Sequence, residues 1–95
     1  MWVSVRRYAS NPELASRLAE HADDVKGLIS QVPGFVSYYL IHDGRDTVSI
    51  TVARDRDGVD RSNQVAAEWL REHAAELPVS APQITEGEVL VTTSG

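Results

Sequence analysis

The stretch from Pro33 to Asp55 is the sequence feature that most limits the possible folds of this chain. Its pattern predicts two strands, Phe35 to His42 and Thr47 to Ala53, joined by a hairpin turn at Asp43-Gly44. Side-chain character alternates along both strands, and alternation places successive residues on opposite faces of a sheet. One face is aliphatic and aromatic, whereas the other mixes Ser, Thr and Tyr with a few apolar residues. A mixed face of this kind indicates the floor of a cavity or a subunit interface.

The segment before the hairpin predicts a strand followed by a helix. Residues 2 to 9 alternate as a first strand, and an apolar stripe from Leu14 to Val32 indicates one long amphipathic helix. Pro12 suits the first helical position, which makes Asn11 the predicted cap. Ser10 with Glu13 has the spacing of a capping box, which would start the helix one residue earlier.

The segment after the hairpin predicts a helix followed by a strand. A second helical stripe runs from Val59 to Leu77 and ends before Pro78. Residues 79 to 83 then form an extended connector. The last strand is predicted from Glu88 to Thr93, where Val89 and Val91 share one face.

The order β-α-β-β-α-β predicts a ferredoxin-like α+β fold in a single domain, residues 1–95. Both helices should cover the same face of a four-stranded antiparallel sheet. The residues expected beneath the helices are Val3, Val5, Val36, Tyr38, Leu40, Val48, Ile50, Val52, Val89 and Val91. The residues expected on the open face are Ser4, Arg6, Tyr8, Phe35, Ser37, Tyr39, Ile41, Ser49, Thr51, Leu90 and Thr92. The open face needs cover of its own, which predicts a homodimer.

Composition excludes several functional classes. Nine basic and fourteen acidic residues give a net charge of -5, which argues against a nucleic-acid partner, since such binding depends on neutralising phosphates. The chain has no cysteine, which excludes thiolate nucleophiles and disulfides and fits a reducing cytoplasm. No apolar run has membrane-spanning length, so no membrane partner is expected. Motifs for a metal, haem, flavin or nucleotide are absent, and no cofactor is expected.

The candidate ligand-binding residues lie mostly on the predicted open face. The full set is Arg6, Tyr8, Ser37, Tyr39, Ser49, Thr51 and His73. The hydroxyl and aromatic members could bind a planar polar molecule, or could be strand-forming residues at a wet dimer interface. An inward-facing Arg6 requires an acidic neighbour, water or an anionic ligand, and Glu88 could be that neighbour across the strands or across the subunits. His73 is a candidate acid or base at the cavity edge, or else a half-buried core residue stacked near Trp69.

The layout resembles the dimeric α+β barrel superfamily and, within it, the antibiotic-biosynthesis-monooxygenase-like proteins. Three segments carry the resemblance: Val32–Phe35 at the start of the second strand, the Asp43-Gly44 hairpin, and Ser62–His73 in the last helix. The resemblance implies a homodimer whose two sheets face each other around a barrel interior. It also implies cofactor-independent oxygenation of an aromatic or polyketide-like substrate, with Arg6 or Tyr8 stabilising an oxyanion.

The chain departs from the catalytic members of that family at several positions. Quinone-forming oxygenases carry an Asn and, four residues later, a Trp in the third strand, where this chain has Ser49 and Ala53. Haem-degrading members use an Asn in the first strand, and this chain has none there. Two hypotheses therefore stay open. One is a small-molecule-binding homodimer with monooxygenase activity, and the other is a non-catalytic dimeric ligand-binding or assembly module.

Overall fold

The computed structural model describes residues 1–9 and 11–94. The elements are β1 (Trp2–Tyr8), α1 (Pro12–Glu20), α2 (Ala22–Ile29), β2 (Phe35–His42), β3 (Thr47–Ala53), α3 (Arg56–His73) and β4 (Gln83–Glu88). The strands form one antiparallel sheet in the order β2-β3-β1-β4. The helices pack on one face of this sheet. This is the predicted ferredoxin-like α+β fold.

The first helical stripe forms two helices rather than the single predicted one. α1 and α2 meet at His21, whose backbone angles of φ −106° and ψ 25° depart from helical values. The apolar stripe continues across the break and buries Leu14, Leu18, Val25 and Ile29. Asn11 caps α1 as predicted, because its side chain accepts a hydrogen bond from the Leu14 N–H at 3.1 Å. The alternative cap at Ser10 lies outside the described residues.

The predictions for the C-terminal part were partly wrong. α3 ends at His73, so that Leu77 belongs to the connector. β4 lies before the predicted strand and pairs with β1 over residues 83 to 88. Leu90 and Val91 lie outside any strand and are 86% and 87% exposed. Because β4 is a polar edge strand, its sequence lacks the apolar alternation on which the prediction depended.

The faces of the two central strands are the reverse of the prediction. Arg6 lies opposite Ser49 and Ser4 lies opposite Thr51, and all four are buried on the helix side. Leu40 lies opposite Ser49. Directly paired residues share a face, so a β3 residue must face the helices when its β2 partner does. The open face instead carries Val3, Val5, Val48, Ile50 and Val52.

β2 follows the prediction more closely. Tyr38 and Leu40 pack against the core, whereas Tyr39 and Ile41 lie on the open face with 56% and 48% exposure. Phe35 packs against the core, which contradicts its predicted place on the open face. A register shift between Phe35 and Ser37 inserts an extra residue into β2, and this bulge accounts for the change of face.

Candidate functional site

Arg6 lies in the middle of the sheet beneath α3 and is 1% exposed. Its Nη1 donates to Ser62 Oγ at 3.0 Å and to Asn63 Oδ1 at 2.7 Å. Its Nη2 donates to Ser49 Oγ at 2.9 Å and to Thr51 Oγ1 at 2.7 Å. The guanidinium group is therefore held between two hydroxyl groups of β3 and two polar side chains of α3.

The charge of Arg6 is not balanced by any of these partners. A guanidinium group has five N–H donors, and the four on its terminal nitrogens are used. The fifth, Nε–H, is buried without a partner among the described residues. The predicted cross-strand pair with Glu88 is wrong, because Glu88 is exposed and lies opposite Trp2. Burial lowers the pKa of Arg6, since desolvation disfavours its charged form.

Asn63 connects Arg6 to a carboxylate. Its Oδ1 accepts from Arg6 and, at 2.6 Å, from Ser4 Oγ. Its Nδ2 donates to Glu86 Oε2 at 3.0 Å. These contacts fix the amide orientation, because the carbonyl side faces two donors and the amino side faces an acceptor.

Glu86 belongs to a small group of charged side chains at the start of α3. Arg56 Nε lies 3.5 Å from Glu86 Oε1 and 3.8 Å from Asp60 Oδ2. Burial raises the pKa of Glu86, and the neighbouring Asp60 raises it further, whereas Arg56 lowers it. The two carboxyl groups therefore compete for the cation that they share.

The start of α3 is fixed closely against β3. Asp55 caps the helix by accepting from the Gly58 N–H at 3.2 Å. A side chain at Gly58 would collide with Ala53, so glycine allows the close approach. One turn later, Ser62 is fully buried and donates to the Val59 carbonyl at 2.7 Å. This anchoring places the polar groups of α3 directly over Arg6.

Sequence reasoning did not identify Ser62, Asn63 or Glu86 as site residues. For Ser62 a signal exists, because it follows Val59 by three residues and precedes Trp69 by seven, and therefore lies on the buried stripe of α3. A serine on such a stripe needs a hydrogen-bond partner. Glu86 offers no comparable signal, since β4 itself was placed incorrectly.

Two tyrosines flank the guanidinium group. Tyr8 is buried at 3% exposure, and Tyr38 shares a hydrogen bond of 3.1 Å with Ser49 Oγ. Burial raises the pKa of both phenols, while the charge of Arg6 acts in the opposite direction. Both side chains are therefore neutral phenols near neutral pH and can donate hydrogen bonds.

A groove with a volume of about 660 Å³ adjoins Arg6 and Tyr8. It lies between α3, the sheet and the connector that follows α3. Its apolar lining comes from Ala67, Leu70, Leu77, Val79, Pro82 and Ile84. The volume is in the range of small-molecule sites.

A separate space of about 20 Å³ beside Tyr8, Tyr38 and Trp69 has room for roughly one water molecule.

The predicted site residues divide into two groups. Arg6, Tyr8, Ser49 and Thr51 come together, but on the helix side of the sheet rather than on its open face. Ser37 and Tyr39 do not line the groove, and Tyr39 is directed away from the helices.

His73 also lies away from the groove. Its ring stacks on Trp69 with centroids 4.9 Å apart and planes 28° apart, and the ring of His21 lies 5.9 Å from it. This is the stacked arrangement weighed as the alternative for His73, although the residue is exposed rather than half-buried.

In the described part of the chain, no helix is long and apolar enough to cross a membrane. Over the same residues, no group of three or more His, Cys, Asp or Glu side chains is arranged to hold a metal ion.

Comparison with known proteins shows the fold. No family model matches the sequence, and no curated protein matches it significantly. Solved structures match nearly the whole chain. The protein NE2512 of unknown function from Nitrosomonas europaea has a TM-score of 0.76 at 21% identity, covering 99% of this chain and 93% of its own. Rv0793 from Mycobacterium tuberculosis has a TM-score of 0.72 at 22% identity, with 98% of each chain covered.

A third similar structure has a described activity. SnoaB, a cofactor-independent oxygenase from Streptomyces nogalater, has a TM-score of 0.67 at 20% identity, covering 96% of this chain and 94% of its own. Antibiotic biosynthesis monooxygenases are also among the similar structures. The chain therefore has the fold of these antibiotic-biosynthesis-monooxygenase-like proteins.

Proposed function

We propose that this chain forms a homodimer in which each subunit binds a small molecule in the groove beside Arg6. The proposal is supported above all by the buried guanidinium group at the edge of a groove of about 660 Å³, whose Nε–H and charge have no partner within residues 1–9 and 11–94. Such groups are costly in a purely structural role, because a buried charge without a partner is strongly disfavoured. Ligand binding would account for a buried guanidinium group in this position.

The open face of the sheet supports the homodimer. It carries valine and isoleucine on both central strands, and its edge adds Tyr39 and Ile41, which are about half exposed. A contiguous apolar surface on a small domain is a typical feature of a protein interface. A second copy of the same sheet would cover it, as the dimeric barrel architecture implies.

We further propose that the bound molecule is an aromatic or polyketide-like substrate of cofactor-independent oxygenation. The similarity to the oxygenase SnoaB supports this reaction. An ionised enol or phenol would transfer one electron to O2, and the two radicals would combine to form a C–O bond. Protonation of the peroxide would give a hydroperoxide, which would lose hydroxide and the hydrogen on the same carbon, together one water, to leave the quinone carbonyl. Arg6 and the neutral phenol of Tyr8 would stabilise the negative charge on oxygen during these steps.

The second candidate function is a non-catalytic ligand-binding or assembly module. Ser49 and Ala53 favour it, because they occupy the positions of an Asn and a Trp in the quinone-forming oxygenases. Ser49 is also 5% exposed and already bonded to Arg6 and Tyr38, so little of its hydroxyl is accessible to a substrate.

Oxygen uptake with anthrone, a tricyclic substrate that oxidises to a quinone, tests the proposal. We expect uptake by the wild type and its loss in Ala67→Phe, which fills the groove, while Ala19→Phe on the exposed surface of α1 leaves it unchanged. Anthrone binding without oxygen uptake would support the non-catalytic module. The proposal would be contradicted if the wild type were monomeric by light scattering. It would also be contradicted if Ala67→Phe bound anthrone as tightly as the wild type does.

A further inference from the structure

The charges of the groove differ from those of the rest of the molecule. The whole chain has a net charge of -5. The groove, in contrast, is lined by two cations, Arg6 and Arg71, and no Asp, Glu or His is among its described lining residues. Acidic side chains outnumber basic ones elsewhere, so this local reversal of sign requires an explanation.

From this reversal we infer that the ligand of the groove is an organic anion with an apolar body. The inference rests on the proposed ligand groove and specifies the chemical class of its occupant. The acidic group is a carboxylate, a sulfonate or an ionised phenol or enol, all of which present oxygen atoms to an arginine. The apolar body lies along the alanine, leucine, valine and proline side chains of α3 and the connector.

The two arginines act at different depths. Arg6 is fully buried, and its four neutral partners hold it rigidly while leaving its charge unbalanced. Arg71 is exposed on α3 and lines the same groove. An anion near Arg6 supplies the missing negative charge in a poorly solvated place, where the interaction is strong. Attraction by Arg71 is partly screened by solvent and salt.

A matched pair of fluorescent probes tests the inference. Anilinonaphthalenesulfonate and N-phenylnaphthylamine share an aromatic body, but only the first carries a negative charge. We expect the wild type to bind the sulfonate at least about tenfold more tightly than the neutral probe, a difference of about 1.4 kcal/mol. Arg6→Met should lower this preference to, at most, the several-fold part that Arg71 supplies. Arg71→Met should reduce it by several-fold and make it less sensitive to salt, and Arg45→Met, on the exposed hairpin, should leave it unchanged.

The outcomes separate this inference from the proposed function. If the wild type binds both probes equally and Ala67→Phe binds neither, the inference is overturned, but the groove is still a ligand-binding site. Binding that is unaffected by Ala67→Phe would overturn both. Because Arg71 is exposed, Arg71→Met should fold even if Arg6→Met does not, and an unchanged preference in Arg71→Met would contradict the inference. Competition by naphthoate and by dinitronaphtholate then distinguishes a carboxylate ligand from an ionised phenol.

Discussion

Arg6 on β1 and Asn63 on α3 are joined by a hydrogen bond of 2.7 Å that crosses the interface between the sheet and the helices. The same amide is bound to Glu86, so this carboxylate is connected to Arg6 only through a neutral side chain. The guanidinium group thus keeps a fixed position without direct neutralisation. This combination of rigidity and residual charge suits a site that must recognise negative charge on a ligand.

Replacing Arg6 by methionine should cost little stability. Met removes a buried charge, and three of the four acceptors keep other partners: Ser62 with Val59, Ser49 with Tyr38, and Asn63 with Ser4. We expect the free energy of unfolding to change by about 1 kcal/mol or less. Arg6→Lys retains the charge but has one nitrogen, which cannot reach acceptors on both β3 and α3. It should be less stable than Arg6→Met by about 1–3 kcal/mol.

Urea unfolding at a fixed protein concentration measures both variants. The matched pair Arg45→Met and Arg45→Lys on the exposed hairpin should be indistinguishable. A stable Arg6→Lys together with an unfolded Arg6→Met would show that the positive charge itself maintains the fold.

The inverted faces of β1 and β3 show what hairpin geometry could have predicted. His42 pairs with Thr47 across the loop, and this pairing places Tyr38 and Leu40 on the same face as Thr51 and Ser49. The alternation within each strand was predicted correctly. The choice of face was wrong because valine-rich positions were assigned to the core, whereas here Val3, Val5 and Val52 are partly exposed on the open face, which the proposed second subunit would cover.

The strand bounds around the hairpin and the overall fold could be predicted because they depend on local alternation and turn residues. The site could be predicted only in part. Arg6 and Tyr8 stood out as polar residues within a strand. The Arg6 partners Ser62 and Asn63, however, are distant in sequence and become its neighbours only through the packing of α3 on β1. No local pattern specifies that contact.

Ile41→Asp should separate the proposed homodimer into folded monomers. Ile41 is 48% exposed on the open face, so a charge there is tolerated in the monomer but disfavoured within an apolar interface. Light scattering should show the mass of a monomer, with a circular dichroism spectrum like that of the wild type. Leu28→Asp is the control, since Leu28 is 42% exposed on α2, away from the open face. A dimeric Ile41→Asp would place the interface elsewhere.

Asp43→Asn should make the free energy of unfolding depend less on pH in the acid range. The Asp43 carboxylate accepts from the N–H groups of Asp46 and Arg45 at 2.7 and 2.9 Å, and these bonds, with Arg7, lower its pKa from 3.8 to about 2. A lowered pKa contributes stability that is present above pH 3.8 and is lost as the pH falls toward 2. Asp43→Asn lacks this pH-dependent contribution to stability.

Unfolding free energies of the wild type and Asp43→Asn, measured as a function of pH, test this assignment. The two curves should differ most above about pH 4 and converge near pH 2, since the wild-type contribution has then been lost. Parallel curves across this range would contradict the role assigned to Asp43.

Glu86→Gln should have the opposite pH dependence. The pKa of Glu86 is raised by burial and by Asp60, so its contribution to stability is present below its ordinary value of 4.5 and is lost as the pH rises through the raised pKa. Glutamine can still accept from the Asn63 amide, and it can donate to Asp60. The stability of the variant relative to the wild type should therefore increase from acid to neutral pH.

The same substitution also reports on Arg6. Removing the carboxylate behind Asn63 leaves the guanidinium group less compensated, so Glu86→Gln should bind anilinonaphthalenesulfonate more tightly than the wild type does. Glu88→Gln, exposed in the same strand, is the control for both measurements. If Glu86→Gln loses stability at neutral pH and binds the anion no better, then Glu86 acts as an ordinary ion-pair partner of Arg56. The connection through Asn63 would in that case have no influence on the charge of the site.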